Sequence, residues 1–265
     1  MIKLVGLDID GTIISQDGKI SSQVKDIVRQ VKKAGVHVAL LSGRNYNGMK
    51  YYIDELGLKG ISASSNGAEI VAIEDEEIIL QEVIPYKLSK EVVDASIRLN
   101  LGVINFSNLR VYTEGLDKLP HEYTKILNQE FDYIDDIFEN IKIFPSVKLM
   151  MVGVQQDLKD LQKLIEEKYN EALNADFSTE YLLEVYSKKA DKGIAFNYIR
   201  EKLGLLKEES MCIGDSENDI PMFRSAGLSV AMGNAINEVK ECATDITDDV
   251  KNYGAAKAMK KYILD

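Results

Sequence analysis

The sequence predicts an α/β protein, a parallel-sheet core that carries an inserted second α/β domain. Three observations predict it. Short apolar runs alternate with amphipathic stretches at both ends of the chain, the pattern of strand–helix–strand units that build a parallel sheet. Several of those runs stop at an acid or at Ser-Gly, and ligands of open α/β sheets bind outside the carboxyl ends of the strands. The segment between, residues 83–187, changes style and reads as a small unit complete in itself.

The elements follow in order. "IKLVGLDI" is an apolar run suited to a strand buried on both faces. "SSQVKDIVRQVKKAG" predicts a helix with Val24, Ile27, Val28 and Val31 on one stripe. Ser21 or Ser22 caps its start and Gly35 ends it. "VHVALL" is the next buried strand, and "NYNGMKYYIDELG" the next helix, closed by Gly57. "ISASSNGAEIVAI" and "EEIILQEV" predict a strand and then a hairpin, with Asn66-Gly67 at the turn. Later, "DKGIAFNYIREKLG" puts Ile194, Ala195, Tyr198, Ile199 and Leu203 on one helix face. "SMCIGD" is a strand ending in an acid, and "NDIPMFRSAG", "LSVAM", "INEVKECA" and "YGAAKAMKKYI" continue the alternation. These two stretches, 1–82 and 188–265, predict one Rossmann-like core. Residues 83–187 predict helices at "LSKEVVDASIRLN", "HEYTKILNQEF" and "DLKDLQKLIEEKYN" and strands at "GVINFS", "VKLMMVGV" and "YLLEVY", with an antiparallel sheet.

Composition excludes several classes. The chain has 265 residues, 45% hydrophobic and 28% charged, ordinary for a globular protein with a sizeable core. A net charge of −11 argues against a nucleic-acid or anionic-membrane surface. A phosphorylated small molecule remains open, because a local site can be positive on an acidic body. Cys212 falls in a predicted buried strand and reads as an inert thiol; with Cys242 it suggests no disulfide. The first residues do not have the form of a signal peptide, and no run approaches the ~18 apolar residues of a membrane helix. The expectation is a cytoplasmic protein, a monomer or weak homodimer, with no nucleic-acid or membrane partner.

The chemistry concentrates at predicted element ends. Asp8 and Asp10 share one face if the first strand stays extended that far. "GDSEND" brings Asp215 and Asp219 to another strand end. Crowded carboxylates must take up a proton or share a cation, and a site of a few carboxylates suits Mg²⁺. "LLSGR" places Ser42 at the end of the second core strand, with Gly43 allowing close approach of a ligand. Lys192 falls in the first turn of its helix behind the cap Asp191, where it opposes the helix dipole. Local stability does not ask for a lysine there, which points to an anion.

"DIDGT", "LLSGR", "DKG" and "GDSENDIPMF", in this order, resemble the four motifs of the haloacid dehalogenase superfamily. The inserted unit resembles the larger, type C2B caps of its Cof-type (subclass IIB) phosphatases, and "SSNGAEI" is similar to that subfamily too. The resemblance spans the whole chain. It implies that Asp8 is the nucleophile and forms an aspartyl-phosphate, and that Asp10 protonates the leaving alcohol and then activates water. It implies Mg²⁺ on the carboxylates of Asp8 and Asp215 and on the backbone carbonyl of Asp10, with Asp219 holding the water shell. Ser42, Gly43 and Lys192 would grip the phosphoryl oxygens, helped by the amides of Gly11 and Thr12 and by Asn218. The substrate would be a small phosphorylated metabolite, a sugar phosphate or phosphorylated cofactor precursor, and the cap would close over it.

Other readings stand beside this one. Neither acidic cluster is an EF-hand, which wants glycine sixth and glutamate twelfth; from Asp8 these positions are Ile13 and Lys19. Arg44 either touches substrate or bridges to a surface acid. His37, His121 and the tyrosines read as structural. The resembling family often has an asparagine before its last helix; here the stretch is "TDDVKNYG", and no role passes to Asn252. One rival is a phosphomutase of similar fold, holding a second phosphate on Arg98, Arg110 or Lys148. The other is a non-enzymatic phospho-acceptor similar to a response-regulator receiver, which would have no use for a cap.

Overall fold

The computed structural model describes residues 1–15, 18–117 and 130–265. The chain divides into two compact units, Met1–Leu80 with Asp191–Asp265, and Gln81–Ala190.

The first unit opens with β1 (Leu4–Leu7), buried at all four positions. Helix α1 (Ser22–Lys33) starts where the Ser21 side chain accepts from the Val24 amide, and it buries Val24, Val28 and Val31. Strand β2 (His37–Leu40) follows; His37 is exposed at its first position. Helix α2 (Tyr46–Leu56) is capped by Asn45 and ends at Gly57 in the left-handed region. Strands β3 (Ile61–Ser64) and β4 (Glu69–Ala72) form an antiparallel hairpin across Ser65–Gly67, and β5 (Glu77–Gln81) adds a third strand to that sheet.

In the second unit come α3 (Tyr86–Arg98), β6 (Gly102–Ser107), β7 (Arg110–Thr113), β8 (Asp132–Tyr133), α4 (Ile137–Ile143), β9 (Lys148–Val152), α5 (Gln155–Tyr169), β10 (Leu173–Thr179) and β11 (Leu182–Ser187). Its six-stranded sheet has the order β10-β11-β9-β6-β7-β8, antiparallel except between β7 and β8. Val92, Val93, Leu149, Met151, Leu161 and Leu183 belong to its core. Four of these elements, β7, β8, α4 and β10, were absent from the sequence expectation. The β6–β7 turn shows why: Asn108 and Leu109 both take positive φ. Asn-Gly is the signal for such a turn, and a leucine hides it. The helix expected over 121–131 falls mostly outside the described residues, as does His121.

The chain returns to the first unit through α6 (Lys192–Lys202), β12 (Ser210–Gly214), α7 (Ile220–Ser225), β13 (Leu228–Ala231), α8 (Asn237–Glu241), β14 (Asp245–Ile246) and α9 (Gly254–Met259). The main sheet has the order β14-β13-β12-β1-β2, with every pair parallel. The α/β class with a parallel core is therefore as expected. Leu4, Leu41, Phe196, Ile199, Cys212 and Met222 are part of its buried core. Burial pushes the Cys212 thiol well above its ordinary range, as suits an inert core residue. Among the described residues no helix is long and apolar enough to cross a membrane.

Candidate active site

The carboxyl ends of the central strands are level. The Leu41 amide donates to the Leu7 carbonyl (2.9 Å) and the Asp8 amide to the Ile213 carbonyl (3.0 Å). Asp8, Ser42 and Asp215 thus leave the sheet from neighbouring strands. The sheet order reverses at β1, with β2 on one side and β12 on the other, and this is where a crevice is expected.

β1 stops at Leu7, short of the extension that would pair Asp8 with Asp10 on one face. The Ile9 carbonyl accepts from the amides of Thr12 (3.3 Å), Ile13 (3.0 Å) and Ile14 (3.1 Å), closing a tight loop. Ile9, Ile13 and Ile14 are buried and anchor it. The loop gives the two acids different surroundings: Asp8 is buried and Asp10 is exposed. Within this loop the Gly11 amide donates to the Ile14 carbonyl (3.0 Å), as the Thr12 amide does to that of Ile9.

Lys192 is the centre of the site. Its Nζ is fully buried and donates to Asp8 Oδ1 at 2.5 Å and to Asp219 Oδ1 at 2.6 Å. Its helix starts on the expected cap, the Asp191 side chain accepting from the Ile194 amide. The unfavourable place at the helix start is offset by the two carboxylates. Asp219 uses its other oxygen to accept from the amides of Asp215 (2.9 Å) and Ser216 (3.0 Å). Both its oxygens therefore have protein partners.

Asp215 is held from two sides, by the Thr12 hydroxyl (3.0 Å) and by Asn234 Nδ2 (3.2 Å). The same Asn234 nitrogen donates to the Gly11 carbonyl (2.9 Å), and Asn234 Oδ1 accepts from the Val250 amide. Gly11 has φ +78°, and a side chain there would lie 2.1 Å from Asp215 Oδ2, so glycine alone allows Asp215 to close on the loop. Asn234 was missed in the sequence. It lies beyond the end of β13 and is not an acid, so the strand-end acids that mark the site did not point to it. The asparagine that reaches this site is thus Asn234, while Asn252 lies in a short turn capped by Asp249.

The remaining candidates sit around this centre. Arg44 resolves to the bridging reading: its Nε and Nη2 each donate to Asp10 at 2.7 Å, and its guanidinium lies over the Tyr52 ring. The buried Ser42 Oγ accepts from the Arg44 amide (3.2 Å), which leaves its O–H to donate. Gly43 lies against Asn66, and Asn218 Nδ2 donates to Asn66 Oδ1 (2.9 Å).

Electrostatics set the demand for a cation. Oxygens of Asp8, Asp215 and Asp219 lie within 4.8 Å of one another, and a single ammonium faces the three carboxylates. Burial, with Asp219 and Asp215 adding to it against Lys192, pushes the Asp8 carboxyl up to about 8. Burial and then Asp219 push Asp215 up to about 6. Burial pulls Lys192 down, but Asp219 and Asp8 outweigh it and hold the ammonium above its ordinary range. Without a cation the native site binds more protons than the unfolded chain between about pH 4 and about pH 8. Its contribution to stability therefore falls as pH rises through that window. A divalent cation held by these carboxylates would take the proton's place, so any Mg²⁺-induced rise in Tm should be small near pH 5 and largest near pH 8. Thermal unfolding in chelator and in Mg²⁺ across that range checks this; a Tm gain that shrinks with pH contradicts it.

Comparison with known proteins agrees with the geometry. The profile of the haloacid dehalogenase-like hydrolases matches residues 5–259. YxeH of Bacillus subtilis, provisionally named a phosphatase, is 30% identical over 100% of this chain and 99% of its own. YcsE of Bacillus subtilis, named a 5-amino-6-(5-phospho-D-ribitylamino)uracil phosphatase, is 30% identical over 99% of this chain and 96% of its own. The crystal structure of TM0651 from Thermotoga maritima superposes over 100% of both chains with a TM-score of 0.91 at 26% identity. A family match over nearly the whole chain, on a parallel sheet whose strand ends carry Asp8, Ser42 and Asp215 around a buried Lys192, makes this protein a member of the haloacid dehalogenase-like hydrolases.

Proposed function

We propose that the protein is a Mg²⁺-dependent phosphatase of small phosphomonoesters that works through an aspartyl-phosphate on Asp8. The observation that carries this is the buried Lys192 ammonium, held between Asp8 and Asp219. Two of the surrounding carboxylates depend on this ammonium, but an apolar core would not need the cluster at all; together with a cation the ammonium suits an incoming dianion.

Asp8 attacks the phosphorus and the ester bond breaks. Asp10 gives a proton to the departing alcohol oxygen. Water, losing its proton to Asp10, then attacks the same phosphorus and frees Asp8 and inorganic phosphate. Arg44 orients Asp10 through its two hydrogen bonds. Lys192 has a third N–H for a phosphoryl oxygen beyond those it gives to Asp8 and Asp219. The Ser42 hydroxyl and an Asn218 amide hydrogen are further donors, with Gly43 permitting close approach.

The donor set fits Mg²⁺. All the donors are oxygens, and the three acids are close together and under-neutralised. Asp8, Asp215 and the Asp10 carbonyl would hold the ion; Asp219, whose oxygens go to Lys192 and two amides, would act on it indirectly. When bound, it offsets the charge of nucleophile and phosphate.

For the substrate, the name of YcsE supports a phosphorylated sugar-like chain, such as a sugar phosphate or a phosphorylated cofactor precursor. The cations that a mutase would use for a second phosphate, Arg98, Arg110 and Lys148, pair instead with Asp94, Asp132 and Glu184. Phosphate release from a panel of sugar phosphates, nucleotides and cofactor phosphates tests the reading. We expect Mg²⁺-dependent release from at least one sugar-type monoester. Transfer of the group to a second sugar position, without release, would sink it.

A further inference from the structure

The turn between β3 and β4 is more strained than a hairpin needs. Ser65 (φ 51°), Asn66 (φ 57°) and Gly67 (φ 91°) are consecutive residues in the left-handed region, which only glycine enters without penalty. Ser65 carries a second cost, because its hydroxyl is buried without a hydrogen-bond partner among the described residues. A two-residue Asn-Gly turn would join the strands without either.

What the strained geometry secures is contact with three segments of the site. The Ser65 amide donates to the Arg44 carbonyl (2.7 Å) and the Asn66 amide to the Ser42 carbonyl (2.9 Å). Asn66 Oδ1 accepts from Asn218 Nδ2 (2.9 Å). A side chain at Gly43 would come within 3.1 Å of that same oxygen, and one at Gly67 within 2.5 Å of the Asp191 carbonyl. The turn therefore lies on the strand end that carries Ser42, on the loop that carries Asn218, and on the cap residue just before Lys192.

Resting on the phosphatase reading above, we propose that Asn66 is a positioning residue of the phosphoryl site, setting Asn218 at a fixed distance from Ser42 and Gly43. A primary amide has two hydrogens. By taking one from Asn218, Asn66 fixes the amide plane and the direction of the other. By binding the Ser42 carbonyl through its own backbone, it ties that donor to the end of β2. Small errors in such spacing are expensive in phosphoryl transfer, where catalysis is mostly positioning.

Asn66→Gly separates the side chain from the turn. Glycine accepts the φ of this position and keeps the backbone bond to Ser42, so Tm should hold or rise. With p-nitrophenyl phosphate, kcat/KM should fall by at least about tenfold, with KM raised as well as kcat lowered. Asn66→Asp, which keeps an oxygen for Asn218, should recover part of the loss. The double variant Asn66→Gly/Asn218→Ala should fall no more than about twofold below Asn218→Ala alone. Ser65→Gly, which relieves the neighbouring strain and leaves the amide, should keep wild-type kinetics. NMR of the Asn218 side-chain amide gives a readout apart from turnover: its hydrogens should exchange faster in Asn66→Gly. An unchanged Asn218 amide, wild-type kinetics in Asn66→Gly, or additive losses in the double variant would each overturn the proposal. If wild type hydrolyses no phosphomonoester while Asn66→Gly still frees the amide, the phosphatase reading fails and the Asn66–Asn218 linkage stands.

Discussion

Asp8→Asn is expected to lower kcat by at least ~10⁴-fold, the scale on which loss of a covalent nucleophile is felt. The protein should stay folded. Asparagine keeps the shape of the side chain and still offers Lys192 an oxygen to accept its hydrogen bond. It also removes one of three carboxylates that share a single ammonium. In chelator, Tm should therefore hold or rise, most clearly near pH 8, where the wild-type site carries the most unneutralised charge. Loss of activity together with a gain in cation-free stability separates a chemical role from a structural one. Residual turnover above a few per cent, or a marked fall in Tm, would refute the assignment.

Lys192→Met is the substitution with the largest expected cost to the fold. The lysine is fully buried, and its removal strands Asp8 and Asp219 without their cation. Breaking a buried pair in this way costs about 3–5 kcal/mol. Chemical denaturation should show that loss at pH 8, and a smaller one at pH 5, where Asp8 is protonated more readily. Adding Asp219→Asn to Lys192→Met should recover part of the stability, because one of the stranded charges is gone. Activity should be lost in both variants. A Lys192→Met protein as stable as wild type at pH 8 would mean that the ammonium does not neutralise this cluster.

The sequence disclosed most of the first unit because its signals are local. Apolar runs such as "IKLVGL" and "SMCIG" have one sensible place, a strand covered on both faces, and β1 and β12 are buried throughout. Caps at Ser21, Asn45 and Asp191 mark where helices begin. The second unit disclosed less. β10 mixes buried and exposed positions, and the β6–β7 turn uses a leucine where glycine would have announced it.

For the site, residue types and order pointed to the right strand ends, and geometry decided what each residue does there. Asp8 and Asp10 look equivalent in "DIDG", yet the loop closed by the Ile9 carbonyl buries one beside Lys192 and leaves the other to Arg44. The amides of Gly11 and Thr12 also help to close that loop, donating to the carbonyls of Ile14 and Ile9. Asn234 and Asn66 act through contacts to residues far away in the chain, Gly11 at one and Asn218 at the other. No local pattern reports such contacts, which exist only once the sheet has brought the strand ends level.

The central claim is that the phosphoryl group passes through Asp8. The most direct test is to quench the enzyme in acid during turnover with Mg²⁺ and a hydrolysed substrate, reduce with borohydride, and map the peptides by mass spectrometry. Reduction converts an aspartyl-phosphate to homoserine. The prediction is homoserine at position 8 in the wild type, and its absence in Asp8→Asn and in wild type quenched without substrate. An unmodified Asp8 during rapid turnover, or homoserine at Asp10 or Asp215 instead, would contradict it.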